Sequence, residues 1–304
     1  MSEKYFSEHE TMNSSSENAK KSGVNIGLII FIVGFVTAVI GGFFCYNTDL
    51  NKYHKTADFN NTFSASDVKN INIDGSVGNF TIVKTTDKEI SVIAKNVPEK
   101  YTAEVKNDTL IISTSNPKSF WLQVPFLTYT TPKVEIYLPE KEYEKLLLKS
   151  GGGDVEISDL TFKDATFESG AGDKNIHDFT CDKIVLKSGA GDSELNNIKC
   201  KSMTVNKGAG DMNADGINCD GILTLKTGAG DSTMINTVTG GFDLVTGAGD
   251  LRFAGTINGD IDIDSGAGDL TIDLTNPESD FGKNGKYSMK IDKGAGDKEI
   301  TYNN

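Results

Sequence analysis

The sequence predicts an all-β protein, a single-stranded β-solenoid or β-helix preceded by one transmembrane helix. Three observations predict this fold class. The phrase Ser-Gly-Ala-Gly-Asp, with small variations, recurs through the second half of the chain at a nearly constant spacing. The residues before each phrase alternate between apolar and polar, which is typical of half-buried strands. One uncharged apolar segment near the N-terminus is long enough to span a bilayer.

The apolar segment runs from Ile26 to Tyr46 without a charge, and Lys20 and Lys21 precede it. Lysines on one side predict that the N-terminus is cytoplasmic and that the rest of the chain is outside the cell membrane. A cleaved signal peptide is an alternative, although its apolar stretch would be shorter. A lipidated Cys45 is a second alternative, which the bulky residues before it disfavour. The expected organisation is a flexible cytoplasmic tail over 1–24, a transmembrane helix over 25–46, a tether over 47–60 and an extracellular β-solenoid over 61–304.

Short alternating runs separated by Gly, Asp and Asn follow the tether and predict strands. They read "VKNINIDG", "NFTIVKTT", "KEISVIAK", "AEVKNDTLIISTS" and "PKVEIYLPE". No later stretch shows convincing helical periodicity, since Leu146 and Leu148 of "PEKEYEKLLLKS" fit a strand. The aromatic segment from Ser119 to Thr130 is interpreted as a lid over the open end of the solenoid, with a partner-binding loop as the alternative.

The repeat is defined by its aspartates, whose successive residue numbers differ by 19, 19, 19, 20, 19, 19 and 28. A fixed period of this kind indicates a solenoid, in which each coil buries its apolar side chains only against its neighbours. Parallel crossovers favour a right-handed path. The predicted turn ladder consists of Gly151, Gly153, Asp154, Gly170, Gly172, Asp173, Gly189, Gly191, Asp192, Gly208, Gly210, Asp211, Gly228, Gly230, Asp231, Gly247, Gly249, Asp250, Gly266, Gly268, Asp269, Gly294, Gly296 and Asp297.

The phrase is interpreted first as a sharp corner. Glycine adopts positive φ without strain and lets neighbouring turns stack closely, while Ser, Thr and Asp can bond to local backbone amides. Calcium binding is the functional alternative, because glycine-aspartate repeats bind calcium in other β-rolls. The spacing differs here, since aspartate follows glycine directly and the coil is longer by one position than in those rolls. We therefore expect a structural corner without a bound metal or cofactor.

Three columns of apolar side chains are expected to fill the solenoid. The first is a pair before each corner, as in Ile184 and Leu186, ending with Met289 and Ile291. The second lies three residues after each aspartate, as in Ile157 and Ile176. The third is formed by Leu160, Phe179, Ile198, Ile217, Val238 and Ile257. The excess residues of the last coil, near Thr275, are expected to form a surface loop.

A cysteine ladder is predicted at Cys181, Cys200 and Cys219, each one repeat period apart, with Phe162 at the same position one coil earlier. The favoured interpretation is buried apolar filler. A disulfide between two of them is the alternative, because neighbouring coils place Cα atoms within the range that a disulfide spans. Zinc is disfavoured, since His177 lies outside this column.

Composition limits the function. The chain has a net charge of −13 and a single arginine, Arg252, which argues against a nucleic-acid partner. Its three histidines offer no nucleophile–base arrangement, so no catalytic residues are assigned.

The motif "PKVEIYLPEKEYEKLLLKSGGGDVEIS", followed by coils such as "KIVLKSGAGD", resembles the bacterial putative adhesin domains of unknown function. The resemblance covers roughly residues 65 to 300, and "INIDGSVGNFTI" looks like a degenerate first coil. The resemblance implies an N-terminal membrane helix, a setting near envelope-stress signalling in Gram-positive bacteria and no established catalytic residues.

Together these observations predict a non-enzymatic, membrane-anchored extracellular β-solenoid that acts in cell-envelope binding, adhesion or stress sensing. Its expected partners are the membrane and an extracellular protein or cell-wall polymer. A calcium-stabilised adhesive β-roll is the first alternative, and a polysaccharide-active β-helix enzyme is the second.

Overall fold

The computed structural model describes residues 56–114 and 131–303, which are almost entirely β-strand. Two short 3₁₀ turns, Ala65–Asp67 and Glu278–Asp280, are the helical segments of this part. The strands are β1 Thr56–Ser64, β2 Asn70–Gly75, β3 Asn79–Thr85, β4 Glu89–Pro98, β5 Thr102–Lys106, β6 Thr109–Ser113, β7 Lys133–Pro139, β8 Glu142–Ser150, β9 Val155–Ser158, β10 Thr161–Ser169, β11 Lys174–Ser188, β12 Ser193–Ala209, β13 Met212–Asp215, β14 Asn218–Ala229, β15 Ser232–Ala248, β16 Leu251–Ile257, β17 Ile261–Ala267, β18 Leu270–Leu274, β19 Met289–Ala295 and β20 Lys298–Tyr302.

The strands stack in two parallel ladders, as the all-β solenoid prediction requires. One ladder runs through β6, β2, β8, β10, β11, β12, β14, β15, β17 and β19. The other runs through β7, β3, β9, β11, β12, β13, β15, β16, β18 and β20. Long strands such as β11 contribute to both ladders because the chain bends within them. Thr161 lies opposite Thr180, so one coil corresponds to one period of the sequence.

The alternation of the sequence places the apolar side chains between the two ladders. Ile184 and Leu186 are buried before a corner, and Ile176 is buried after one. Polar residues between them, such as Thr166 and Thr204, face outward and are half-buried. Each coil therefore closes its core only by stacking on its neighbours.

The coil of β2 and β3 lies between β6 and β7 on one side and β8 and β9 on the other, all of them distant in the sequence. Strands β2 and β3 pair with β8 and β9, and Asp74 lies opposite Lys149. Strand β1 and the chain between β3 and β8 form the N-terminal end of the solenoid, where β4 runs antiparallel to β7, β1 antiparallel to β4 and β5 antiparallel to β6. Strand β1 begins at Thr56, inside the segment 47–60 for which a tether is predicted.

The prediction for Val238 was wrong, because this side chain is 39% exposed. Counting from Asp231, the inward position that Ile217 holds in the coil before belongs to Thr237, which is fully buried. The extra residue of the longer coil lies between Cys219 and Leu223, where the register shifts and Ile222 points outward.

The segment near Thr275 is more than the predicted surface loop. Its Phe281 is 9% exposed and packs against Tyr287 and Tyr302, with ring centroids 5.9 and 6.3 Å away. These rings cover part of the last coil, whose Met289 and Ile291 remain only half-buried. The loop thus supplies apolar cover to the last coil of the described chain.

No helix within 56–114 or 131–303 is long and apolar enough to cross a membrane. The predicted tail and transmembrane helix, and the aromatic segment from Ser119 to Thr130, lie outside the described residues.

Candidate functional site: the glycine corner

The corners of the repeated phrase form one continuous column along the solenoid. The second glycine of each phrase has positive φ, for example +101° at Gly172 and +102° at Gly191. A Cβ on Gly191 would overlap the carbonyl oxygen of Gly172 in the coil before, and a Cβ on Gly189 would overlap that of Gly170. The residue between the glycines is different, because a Cβ on Gly152 would meet nothing within 4 Å. Close stacking of the coils therefore requires glycine at the first and third positions of Gly-Ala-Gly, whereas alanine is accommodated at the middle position.

The aspartates join neighbouring coils. Asp173 Oδ1 accepts a hydrogen bond from the backbone N–H of Asp192 at 2.8 Å, and Asp192 Oδ1 accepts one from Asp211 at 2.8 Å. The same bond recurs at every step from Asp154 to Asp297. Asn79 begins the series, since its Oδ1 accepts from the N–H of Asp154 at 3.1 Å. The expectation was a bond within the same corner, whereas the carboxylate reaches the next one.

Two buried lysines lie behind this column. Lys174 is 2% exposed and its Nζ donates to Ser188 Oγ at 2.6 Å and to the carbonyl of Gly172. Lys207 is 4% exposed and its Nζ donates to the carbonyl of Gly191 and to Ser193 Oγ at 3.3 Å. Burial lowers the pKa of Lys174 to about 8 and also lowers the pKa of Lys207.

These lysines offset the stacked negative charge of the corner. The carboxylates of Asp173 and Asp154 act on Lys174, and those of Asp192, Asp173 and Asp211 act on Lys207, in each case favouring the charged ammonium. Neighbouring carboxylates in a column repel one another, and a cation held behind them reduces this repulsion.

A second corner, which was not predicted from the sequence, lies five residues after each aspartate from Asp154 to Asp231. Asp178 and Asn197 adopt positive φ of 51° and 54° there. Asn197 Nδ2 donates to Asp178 Oδ1 at 3.1 Å, so this corner also links neighbouring coils. Asp and Asn tolerate the left-handed conformation better than other non-glycine residues. The signal was present as a column of Asp, Asn and Gly at a constant offset: Asp159, Asp178, Asn197, Gly216 and Asn236.

The three cysteines form a column on adjacent strands. Cys181 lies opposite Cys200 and Cys200 opposite Cys219, with Phe162 opposite Cys181. All three are buried free thiols. Burial raises the pKa of Cys181 to about 12, and the hydrogen bond with Cys219, together with burial, raises that of Cys200 above its usual range. The thiols of Cys181 and Cys200 therefore stay protonated at neutral pH and react slowly.

The groups considered for catalysis or metal binding do not converge in the described part of the chain. His177 is half-exposed and its Nδ1 lies 3.0 Å from Asp178 Oδ2. Arg252 forms a surface ion pair with Asp273, whose Oδ2 lies 3.2 Å from the guanidinium. Within residues 56–114 and 131–303 no group of three or more His, Cys, Asp or Glu side chains is placed to hold a metal ion.

Outward side chains form straight columns of charge. Glu168 Oε1 lies 2.9 Å from Lys187 Nζ, and Glu168 Oε2 lies 3.5 Å from Lys149 Nζ, so one carboxylate serves lysines on both neighbouring coils. Lys201 and Asp182 pair in the same way at 2.8 Å. Exposed pairs of this kind contribute about 0–1 kcal/mol each, so the columns say more about recognition than about stability.

A family model described as Toastrack DUF4097 matches residues 68–289, most of the described solenoid. The chain belongs to the Toastrack DUF4097 family. The putative adhesin resemblance drawn from the sequence is thereby confirmed, because solved structures with that name share this fold. A comparison with curated proteins found no match.

Two solved structures show the extent of the Toastrack likeness. A putative adhesin from Bacteroides fragilis is 18% identical, with a TM-score of 0.50, and the match covers 81% of this chain and 97% of that one. A putative lipid binding protein from Parabacteroides distasonis is 15% identical, with a TM-score of 0.51, and the match covers 82% and 98%. At such identity the likeness concerns the fold, and function requires its own argument.

Proposed function

We propose that this Toastrack protein is a non-enzymatic binding protein of the cell envelope, anchored by a membrane helix over 25–46 with its solenoid outside the cell. The observation that carries the proposal is the stacking of nearly identical coils, which displays outward side chains in straight columns over many strands. Such surfaces suit extended ligands, in this case a cell-wall polymer or an extracellular protein. The names of the two structural neighbours, an adhesin and a lipid binding protein, support a binding role.

The anchoring is proposed from the uncharged segment Ile26 to Tyr46 and from Lys20 and Lys21 before it. Protease treatment of intact cells that produce the full-length chain, tagged at both ends, tests this arrangement. We expect loss of the C-terminal tag and protection of the N-terminal tag until the cells are lysed. Equal protection of both tags would show that the solenoid is not outside.

The binding role is tested with purified cell-wall sacculi and the full-length protein. We expect the wild type and Gly152→Ala to sediment with the sacculi, because alanine is accommodated at that position. Gly191→Val should reduce sedimentation strongly, since it disrupts the stacked corner. Absence of sedimentation at physiological salt would remove the wall polymer as a ligand.

A further inference from the structure

The outward surface of the first ladder, called the long face here, changes its charge along the solenoid. It consists of three columns of outward residues on or next to β8, β10, β11, β12, β14, β15, β17 and β19. Within these columns, the first five strands carry five lysines and two acids, namely Lys145, Lys149, Lys183, Lys187, Lys226, Asp164 and Glu168. Within the same columns, the last three strands carry five aspartates and one lysine, namely Asp243, Asp260, Asp262, Asp264, Asp292 and Lys290.

The ion pairs within the long face leave lysines and aspartates without a partner of opposite charge. Glu168 is shared by Lys149 and Lys187, and Lys290 Nζ lies 3.2 Å from Asp262 Oδ1. No ion pair within residues 56–114 and 131–303 involves the remaining basic residues Lys145, Lys183 and Lys226 or the acidic residues Asp243, Asp264 and Asp292. The end of the long face near β8 therefore carries unpaired positive charge, and the end near β19 carries unpaired negative charge.

The middle of the long face is nearly free of charge and partly apolar. Thr204 and Thr224 occupy its central column on β12 and β14. Ile222 and Val245, on β14 and β15, are 58% and 41% exposed, which is unusual for large apolar side chains in the described chain. Uncharged centres with charged margins are typical of protein interfaces.

We propose that two copies of this chain pair through the long face, with their solenoid axes antiparallel. The two-fold axis lies in the interface, parallel to the strands and between β12 and β14. Rotation about it places β8 over β19 of the second copy, β11 over β15 and β12 over β14. Lys149 then faces Asp292 of the second copy, and Lys183 and Lys187 lie beside its Asp243, while Thr204 meets Thr224.

The size of the long face suits a stable dimer. Its strands contribute about six residues each at about 3.3 Å, and eight strands stack about 4.8 Å apart, which gives roughly 750 Å² per copy. Standard interfaces bury about 800 Å² per partner. The same surface serves both copies, as a two-fold interface requires.

Carbodiimide cross-linking of the full-length protein tests the pairing, because this reagent joins an amine and a carboxylate only where they touch. Within one copy Lys149 and Asp264 are separated by six coil steps, or about 29 Å, which excludes a bond inside the molecule. A mixture of ¹⁵N-labelled and unlabelled chains identifies links between copies by mass spectrometry. We expect mixed-isotope links from Lys149 to Asp264 or Asp292 and from Lys187 to Asp243 or Asp264.

Charge reversals supply the controls. Lys149→Glu with Lys187→Glu should weaken dimerisation about tenfold or more, measured by sedimentation equilibrium, as should Asp243→Lys with Asp292→Lys. Combining all four changes restores opposite signs at the two ends and should restore the dimer. Glu156→Lys with Glu194→Lys, exposed on the other ladder, should have no effect.

The salt dependence of dimerisation is an independent measurement. Raising the salt concentration should weaken the dimer, because salt screens exposed charge pairs. A chain that stays monomeric at roughly 100 µM, a concentration at which a dimer of micromolar affinity would be formed, overturns the proposal. It is equally overturned if mixed links map elsewhere or if the four-fold variant stays as weak as the double variants. The test is independent of sacculus binding, so either proposal can fail alone.

Discussion

Close stacking makes the two glycines of each corner non-equivalent to the residue between them. Gly191 has a φ of +102° and its missing Cβ leaves room for the carbonyl of Gly172. We expect Gly191→Ala to lower the free energy of unfolding by about 2–4 kcal/mol, from backbone strain and displaced stacking. Gly152→Ala should change it by less than about 0.5 kcal/mol, because this position is open. Urea denaturation of both variants checks the pair, and equal losses would contradict the stacked corner.

The aspartate ladder makes a graded prediction at the residue scale. Asp192→Ala leaves the N–H of Asp211 without its acceptor and should cost about 1–2 kcal/mol of unfolding free energy. Asp192→Asn keeps a carbonyl acceptor, as Asn79 does at the head of the column, and should cost less. Asp297→Ala is the control, since its carboxylate has no following coil in the described chain. Denaturation curves in which the alanine and asparagine variants coincide would argue against the inter-coil bond.

Lys174 should make stability depend on pH above neutrality. Its pKa is lowered to about 8 in the folded chain, so the unfolded chain binds the proton more tightly between pH 8 and about 10. Stability should therefore rise across that range as the buried ammonium loses its proton, by roughly 2 kcal/mol. Lys174→Met should reduce this rise with pH. Methionine is a suitable replacement because Met212 occupies the equivalent position two coils later. The free energy of unfolding of both proteins, measured by urea denaturation from pH 7 to 10, checks this. Parallel curves for the wild type and Lys174→Met would contradict the lowered pKa of Lys174.

At the scale of the element, the loop around Phe281 supplies apolar cover next to β19 and β20. Phe281→Ala should lower the free energy of unfolding by about 2–3 kcal/mol, because its ring packs between Tyr287 and Tyr302. Phe281→Leu keeps most of the apolar volume and should cost less than about 1.5 kcal/mol. Thermal unfolding measures both variants. An unchanged stability of Phe281→Ala would indicate that the segment is a surface loop without a packing role.

Strand positions could be predicted from the sequence because alternation and a fixed period agree in almost every coil. Leu146 and Leu148 fit the strand pattern in the sequence, and both are fully buried in β8. The error at Val238 arose because the apolar residue was preferred to Thr237, which holds the buried position when counted from Asp231. A separate feature, the position of the extra residue in the coil before, is also hidden from alignment on the aspartates. Ile222 carries that insertion, and only the register of β12 against β14 shows it.

At the scale of the whole molecule, the aspartate column bears on the calcium-stabilised roll. One oxygen of each ladder carboxylate from Asp154 to Asp269 is bound to the next corner's amide. We therefore expect the melting temperature of the full-length protein to rise no more with calcium than with magnesium. Calorimetry decides this, because a ligand that binds only the folded state raises the melting temperature with its concentration. A rise specific to calcium would favour the adhesive roll.

Features of the candidate site that depend on neighbouring residues in the sequence could be predicted, whereas contacts between coils could not. The glycines of the corner followed from local turn chemistry, so sequence reasoning found them. The reach of Asp173 to the next coil, the burial of Lys174 and the pairing of β2 with β8 depend on which coils become neighbours. A single repeat unit does not contain that information, which is why the structure was needed for these features.

The pairing of β2 and β3 with β8 and β9 also sets an order for biosynthesis. Most coils contact partners one period away in the sequence and can add one by one as the chain leaves the ribosome. Asn70, in contrast, must wait for Thr109 on one side and Lys145 on the other, so the earliest strands emerge without their sheet neighbours. The N-terminal part of the solenoid is thus exposed to mispairing or chaperones until β8 and β9 have been translated.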